Sequence, residues 1–500
     1  MPLKQELVEL QNFAGGLNLT SDPFHVGQTE TADCLNVDFD VRGAVKKRLG
    51  YSVFNESGTE DRDFILVYTL TSGTTKLVIA PNDAAAIFQV SDSGTKSAIS
   101  GATNQTSGTT HDGLAIKGKV YIVNGTDGTA KWDNTTFTRM GQTLDATGNM
   151  PKAKTITFHK NRIFLGNCDA GTNQSRIRYS GSDANPSDQE YYKSTSFIDV
   201  QQDDGDVITK LIPFLDSLVV FKNRSTWVLR GNNPKDFELV LANPSIGCVA
   251  PRTVAAWDKG VVFLSARGVF SFDGSKITRM SEKIDPAINA LPVGNIVQAN
   301  GVVFQQKYYL FVHETGATSY PDTAYVFDFI SGTWTKYRSW DIWHAIVWNR
   351  AGGEELHAIR ASDRDANLQL LDGTDDGGGD INAYFTTKWL DFGVPERRKM
   401  HRRMYAWFVS AGNYDVNVDV QRNYASANVV PNVVNLDPGG MTWGSSLWGA
   451  ALWGSGLDII RRRLTGLGTS PAIRVKIHDT SSNPWTFEGL AFVIQPRNLA

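Results

Sequence analysis

Over most of its first 380 residues the chain alternates apolar and polar positions with a period of two. Each run stops at a Gly, Asp or Asn turn, and a second run follows that ends in an aromatic residue. A period of two with such punctuation predicts β-strands. The clearest pair is KGKVYIVNGTDGTAKWDNTTFTRMG at 117–141 and KGVVFLSARGVFSFDGSKITRMS at 259–281, where Lys-Gly opens a strand, an aromatic-Asp pair closes another and Thr-Arg-Met follows. Related runs start at 64, 159, 176, 215, 306 and 323, and a partial unit, ELHAIRASDRDANLQLLDG, starts at 355. A recurrence of roughly 40 to 50 residues is the period of β-propeller blades, whose sheets bury their faces only against one another. Six blades are expected, with seven the alternative count. The one helical signal is SEKIDPAINALP at 281–292, where Ser281 is placed to cap a short helix that Pro292 ends.

From about residue 385 the runs lengthen, as in MHRRMYAWFVSAG, YDVNVDVQRN and FEGLAFVIQP, and predict a separate β-sandwich. The expected organisation is all-β: an N-terminal extended segment and closing strand at 1–60, a propeller at 61–380 and a sandwich or platform at 381–500. Trp443, Trp448 and Trp453 recur every five residues inside a Gly/Ser/Ala segment at 439–456, which suits neither strand nor helix. Three aromatics there could stack on sugars or bases, but packing against a neighbouring subunit or the propeller is the more common use of exposed Trp.

The 41% hydrophobic content of 500 residues supplies a large core. No apolar run approaches the roughly 20 residues of a membrane helix, and the opening MPLKQELVEL carries charges where a secretion signal needs apolar residues. Cys34, Cys168 and Cys248 are too scattered for a disulfide framework or a zinc site and read as reduced core residues. The net charge of -3 is unevenly spread: residues 385–500 hold 13 Lys/Arg against 8 Asp/Glu, or +5, which leaves -8 for the remainder. That split fits a basic face that meets a partner and an acidic body that does not cling to nucleic acid.

Two basic clusters are candidate interface residues: Arg397, Arg398, Lys399, Arg402 and Arg403, then Arg461, Arg462 and Arg463. A subunit or partner contact is the leading reading, and DNA phosphates, with salt-sensitive affinity, the second. Asp203, Asp204 and Asp206, and Asp372, Asp375, Asp376 and Asp380 in a Gly-rich loop, could be calcium ligands, but the second group lacks the spacing and closing Glu of a calcium loop, and both read as solvated turn carboxylates. His111, His159, His313, His344 and His357 stand in or beside strands with no nucleophile motif around them, and no phosphate loop or H-E-x-x-H occurs. No catalytic residue, metal or cofactor is expected.

Residues 12–51 carry a further pattern: Phe13, Gly15, Gly16, Leu17 and Asn18, then Asn36, Val37 and Asp38, then Gly43, Lys46, Lys47, Arg48, Gly50 and Tyr51. This opening resembles the nozzle and packaged-DNA stabilisation proteins in the tails of short-tailed phages, as do residues 245–274 and the stretch from Lys388 to Arg403 with the Trp-Gly repeat. The resemblance implies a six-bladed propeller in a hexameric ring below the portal and its adaptor, helping to hold packaged DNA until ejection. It further implies adaptor or head-tail connector proteins and tail fibres or spikes as partners, genomic DNA passing through the lumen without sequence specificity, and a place in the virion after assembly in the host cytoplasm. An acidic or neutral lumen would let DNA slide, with the basic domain turned to neighbouring proteins or the upper DNA path. The rivals are a tail-tip protein contacting host-surface glycans and a propeller enzyme acting on polysaccharide.

Overall fold

The computed structural model describes the chain apart from residues 1–5, 57–58, 71, 84, 169–171, 182–188, 315–319, 351, 363, 438–458, 466 and 498–500. Consecutive strands form four-stranded antiparallel meanders. The first strand of each is innermost: Arg62–Thr69, Asp112–Ile116, Ala153–His159, Ile208–Phe214, Ala255–Trp257, Asn300–Phe304 and Ile342–Arg350. Buried residues of neighbouring sheets merge into shared clusters, so each blade's core is completed by the next. Phe221 and Phe263, for example, pack ring to ring at 4.6 Å between the fourth and fifth sheets. The circle closes where Arg62–Thr69 meets Ile342–Arg350, and there the Ile65 N–H donates to Nδ1 of His344 at 3.1 Å.

The fold is thus an all-β propeller, and among the described residues its blades number seven rather than six. The seventh is split along the chain. Ile342–Arg350, Gly353–Arg360 and Asn367–Leu370 make three strands, and the fourth is Tyr51–Asn55, which arrives from the far end of the chain and pairs antiparallel with Asn367–Leu370. A blade assembled from two distant stretches reads as a fragment in sequence.

The second layer system is a two-sheet sandwich. One sheet runs Ile459–Leu464, Lys399–Val409, Thr486–Pro496, Val45–Lys47 and Val37–Phe39, with Glu6–Leu10 added along Thr486–Pro496. The other runs Ala425–Val430, Asp415–Arg422, Ile473–Asp479, Ala383–Thr386 and Cys34–Leu35. N-terminal strands therefore complete both sheets. Phe13, Phe385 and Phe487 form an aromatic knot at the centre, with centroids 5.1 and 5.3 Å from Phe13. The same apolar cluster runs on without a break into Val262, Leu264, Tyr308, Leu310 and Trp334 of the fifth and sixth blades. The sandwich and the propeller share one core.

Among the described residues, α-helix is confined to two short pieces, Asp285–Asn289 and Val293–Ile296. Ser281 does not cap the first; Ile284 holds that position, because the Ser281 hydroxyl is already engaged, accepting from the Val269 N–H and donating to Asp285. Among the described residues, no helix is long and apolar enough to cross a membrane.

Candidate functional site

The two basic clusters come together on one sheet. Lys399–Val409 and Ile459–Leu464 pair antiparallel, with Tyr405 opposite Arg463 and Trp407 opposite Arg461. Strand alternation sends Met404, Ala406, Phe408, Ile460 and Leu464 into the core, so Arg403, Tyr405, Trp407, Arg461 and Arg463 share the outer face. The Arg461 guanidinium lies 4.0 Å from the Tyr405 ring centre and 5.6 Å from that of Trp407, so cation and aromatic hold each other in place. Leu7, opposite Val493 in the row of Arg403, and Ile459 add exposed apolar surface, at 62% and 54%. Among the described residues no carboxylate pairs with Arg397, Arg398, Arg403, Arg461, Arg462 or Arg463, while Arg402 donates to Gln495 at 2.8 Å. Arg, Tyr and Trp without exposed Lys is the composition of a protein interface core.

Lys399 does not belong to that face. It is fully buried, and its ammonium donates to the carbonyls of Val394, Arg397 and Pro471 at 2.6, 3.0 and 2.7 Å. Three backbone acceptors satisfy all three donors and draw the charge inward, where it fastens the turn that presents Arg397 and Arg398. Trp443, Trp448 and Trp453 lie outside the described residues.

Of the acidic turn residues, Asp203 and Asp380 are exposed as expected, whereas Asp204, Asp206, Asp372 and Asp376 are built into the fold. Both Asp204 oxygens accept from the Lys222 ammonium, and Asp206 accepts the N–H groups of Asn223 and Arg224. Asp372 accepts from the Ser52 hydroxyl, and Asp376 takes a two-pronged bond from Arg48. Each ties together segments distant in sequence or fixes a turn.

Along the propeller's inner strands lies a cavity of about 670 Å³. Behind its wall, buried Asp63 accepts from three lining residues: from Trp343 Nε1 at 3.0 Å, from the N–H and Nδ1 of His111 at 3.2 and 2.9 Å, and from Arg252 at 2.6 Å. Burial works to raise its carboxyl, but Arg252 and His111 outweigh that and hold it far below the usual range. His344, stacked on Phe64 at 5.0 Å, is pushed down to about 3 by burial and by the positive charge of Arg252. Asp63, Asp112, Lys210, Arg252 and Trp343 escape a reading of the sequence. The available signal is a polar or charged residue near the start of an innermost strand, where apolar residues otherwise dominate.

Seven meander sheets closed by an N-terminal strand and fused to a two-sheet sandwich define a propeller protein with an attached platform. No protein-family model and no curated protein matches the chain. Among solved structures it is similar to a streptogramin B lyase at 13% identity and TM-score 0.43, covering 65% of this chain and 97% of that one. It is also similar to virginiamycin B lyase from Staphylococcus aureus at 12% and 0.39, covering 73% and 99%, and to the Pan2 WD40 domain of Neurospora crassa at 9% and 0.39, covering 65% and 95%. Likeness this loose carries no activity across.

Proposed function

We propose that the chain is a structural, non-enzymatic protein of a phage tail that forms a ring, hexameric by family resemblance, below the portal and adaptor, retaining packaged DNA and forming part of its exit channel. The observation that carries this reading is the architectural role of the opening that resembles the nozzle family. Phe13 and Leu17 are buried in the sandwich core, and a Cβ on Gly16, whose φ is +68°, would stand 2.6 Å from Thr333 of the sixth blade. Asn36 accepts from Arg48 and Arg338, Asp38 from Lys307 and Tyr337, and Lys47 donates to Asp479. A sequence pattern spent on joining platform to propeller suits a protein whose work is mechanical. The seventh blade departs from the six that the resemblance implies.

The outward row of Arg403, Arg461 and Arg463 with Tyr405 and Trp407 is then the surface offered to a neighbouring subunit or connector protein. A heterologous contact repeated about one axis closes a ring. Negative-stain images and mass photometry of the purified chain, alone and with its adaptor, test the proposal. Closed rings are expected; a chain that stays monomeric at every concentration and ignores the adaptor would overturn it, and saturable glycan-array binding by that monomer would favour the tail-tip rival.

A further inference from the structure

All seven innermost strands contribute to the wall of the 670 Å³ cavity, from Phe64 in the first blade to Trp343 and His344 in the seventh. Two neutral acceptors in its lining, Asn167 Oδ1 and Gln298 Oε1, are unpaired, but the charged hydrogen-bonding capacity left over inside it is one-sided. The carboxylate in the wall, Asp112, and the one buried behind it, Asp63, are both saturated. Asp63 has the four donors described above, and Asp112 accepts from the N–H groups of Gly113 and Ile156, the Thr155 hydroxyl and the Lys210 ammonium at 2.7 Å.

The cations are not. Among the described residues, Lys210 uses one of its three donors, on Asp112, and Arg252 one of its five, on Asp63, while Lys154 on the exposed rim makes no hydrogen bond. His344 adds a donor, because its Nδ1 accepts from the Ile65 N–H and the neutral ring therefore carries its proton on Nε2. Lys210, Arg252 and His344 all line this one cavity although they come from the fourth, fifth and seventh blades, with Lys210 anchored on Asp112 and Arg252 on Asp63. Phe64, Leu66, Val302 and Trp343 supply apolar wall beside them.

We infer that the propeller cavity is a binding site for a small organic anion, its carboxylate, phosphate or sulfonate held by Lys210, Arg252 and His344 and its apolar body lying against Phe64 and Trp343. The donor surplus calls for an acceptor with negative charge, and the volume, far beyond that of an inorganic ion, calls for an organic body attached to it. The inference stands apart from ring assembly and survives its failure.

Anilinonaphthalene sulfonate is a suitable probe, because it joins a sulfonate to aromatic rings and reports binding by fluorescence; uncharged phenylnaphthylamine is its control. The full chain is expected to bind the sulfonate at one saturable site and the neutral control at least about tenfold more weakly, the worth of a charge-assisted hydrogen bond. Lys210→Gln should weaken the sulfonate by about the same factor. Val297→Trp, at a rim position 56% exposed, should block the site without touching its charges. Melting temperatures certify that both variants fold, and Val297→Trp decides alone if Lys210→Gln does not. Sulfonate binding unchanged in the folded variants, or equal binding of the neutral control, would overturn the inference.

Discussion

Arg48 and Asp376 face each other across the junction of propeller and platform, two guanidinium nitrogens at 2.8 and 2.6 Å from the two carboxylate oxygens, with side chains 0% and 7% exposed. The pair holds the segment leading into Tyr51–Asn55 against the loop that leaves the seventh blade. A buried pair broken on one side strands a charge, so Arg48→Ala or Asp376→Ala should each cost roughly 3–5 kcal/mol of unfolding free energy. Chemical denaturation checks this, and the double variant Arg48→Met with Asp376→Leu should lose much less than the sum of the single changes.

Gly50 lies two residues further on, where a Cβ would fall 1.6 Å from the Asp375 carbonyl oxygen. Backbone cannot yield as a flexible side chain can, so Gly50→Ala must push the 372–380 loop off the closing strand. A destabilisation of about 2 kcal/mol or more is expected, with faster proteolysis near residue 375 than in the parent.

Acid should weaken the fold through its buried imidazoles. Burial pushes His344 down to about 3 and His401 down to about 4, whereas the unfolded chain protonates histidine near 6.5. Between those values the unfolded state binds more protons, so stability is full above about pH 6.5 and falls as pH drops toward 3, by on the order of 3 kcal/mol per residue. Urea midpoints measured at neutral pH and near pH 4.5 should differ markedly in the parent and less in His344→Gln; an equal acid loss in both removes His344 as the cause.

The thiols should be silent in the folded chain. Cys34, Cys168 and Cys248 are buried, and burial pushes the Cys34 and Cys248 thiols up to about 12. Dithionitrobenzoate should find no rapidly reacting group until denaturant is added, and then three per chain.

Charge reversal on the platform separates assembly from folding. Arg461→Glu with Arg463→Glu alters exposed positions that pair with no described carboxylate and gives up the contact of Arg461 with Tyr405 and Trp407, so stability should stay within about 1 kcal/mol of the parent. Formation of the proposed ring should fall steeply. Loss of stability with rings intact would mean that the arginine–aromatic row serves the fold alone.

What the sequence determined by itself is the local order: alternation makes strands, Gly and Asp make turns, and the recurring unit makes a propeller with a longer-stranded sandwich behind it. A period of two is written in neighbouring residues and can be read there. The tertiary structure alone decided the seventh blade, because Tyr51–Asn55 and Asn367–Leu370 are joined by hydrogen bonds across more than three hundred residues. It likewise decided that Lys399 is a buried fastener while Arg403 is presented outward, and that His111, Arg252 and Trp343 of one cavity wall meet on Asp63 behind it, from four different stretches. Burial and charge pairing depend on which distant chain segment arrives alongside, and strand alternation does not specify that.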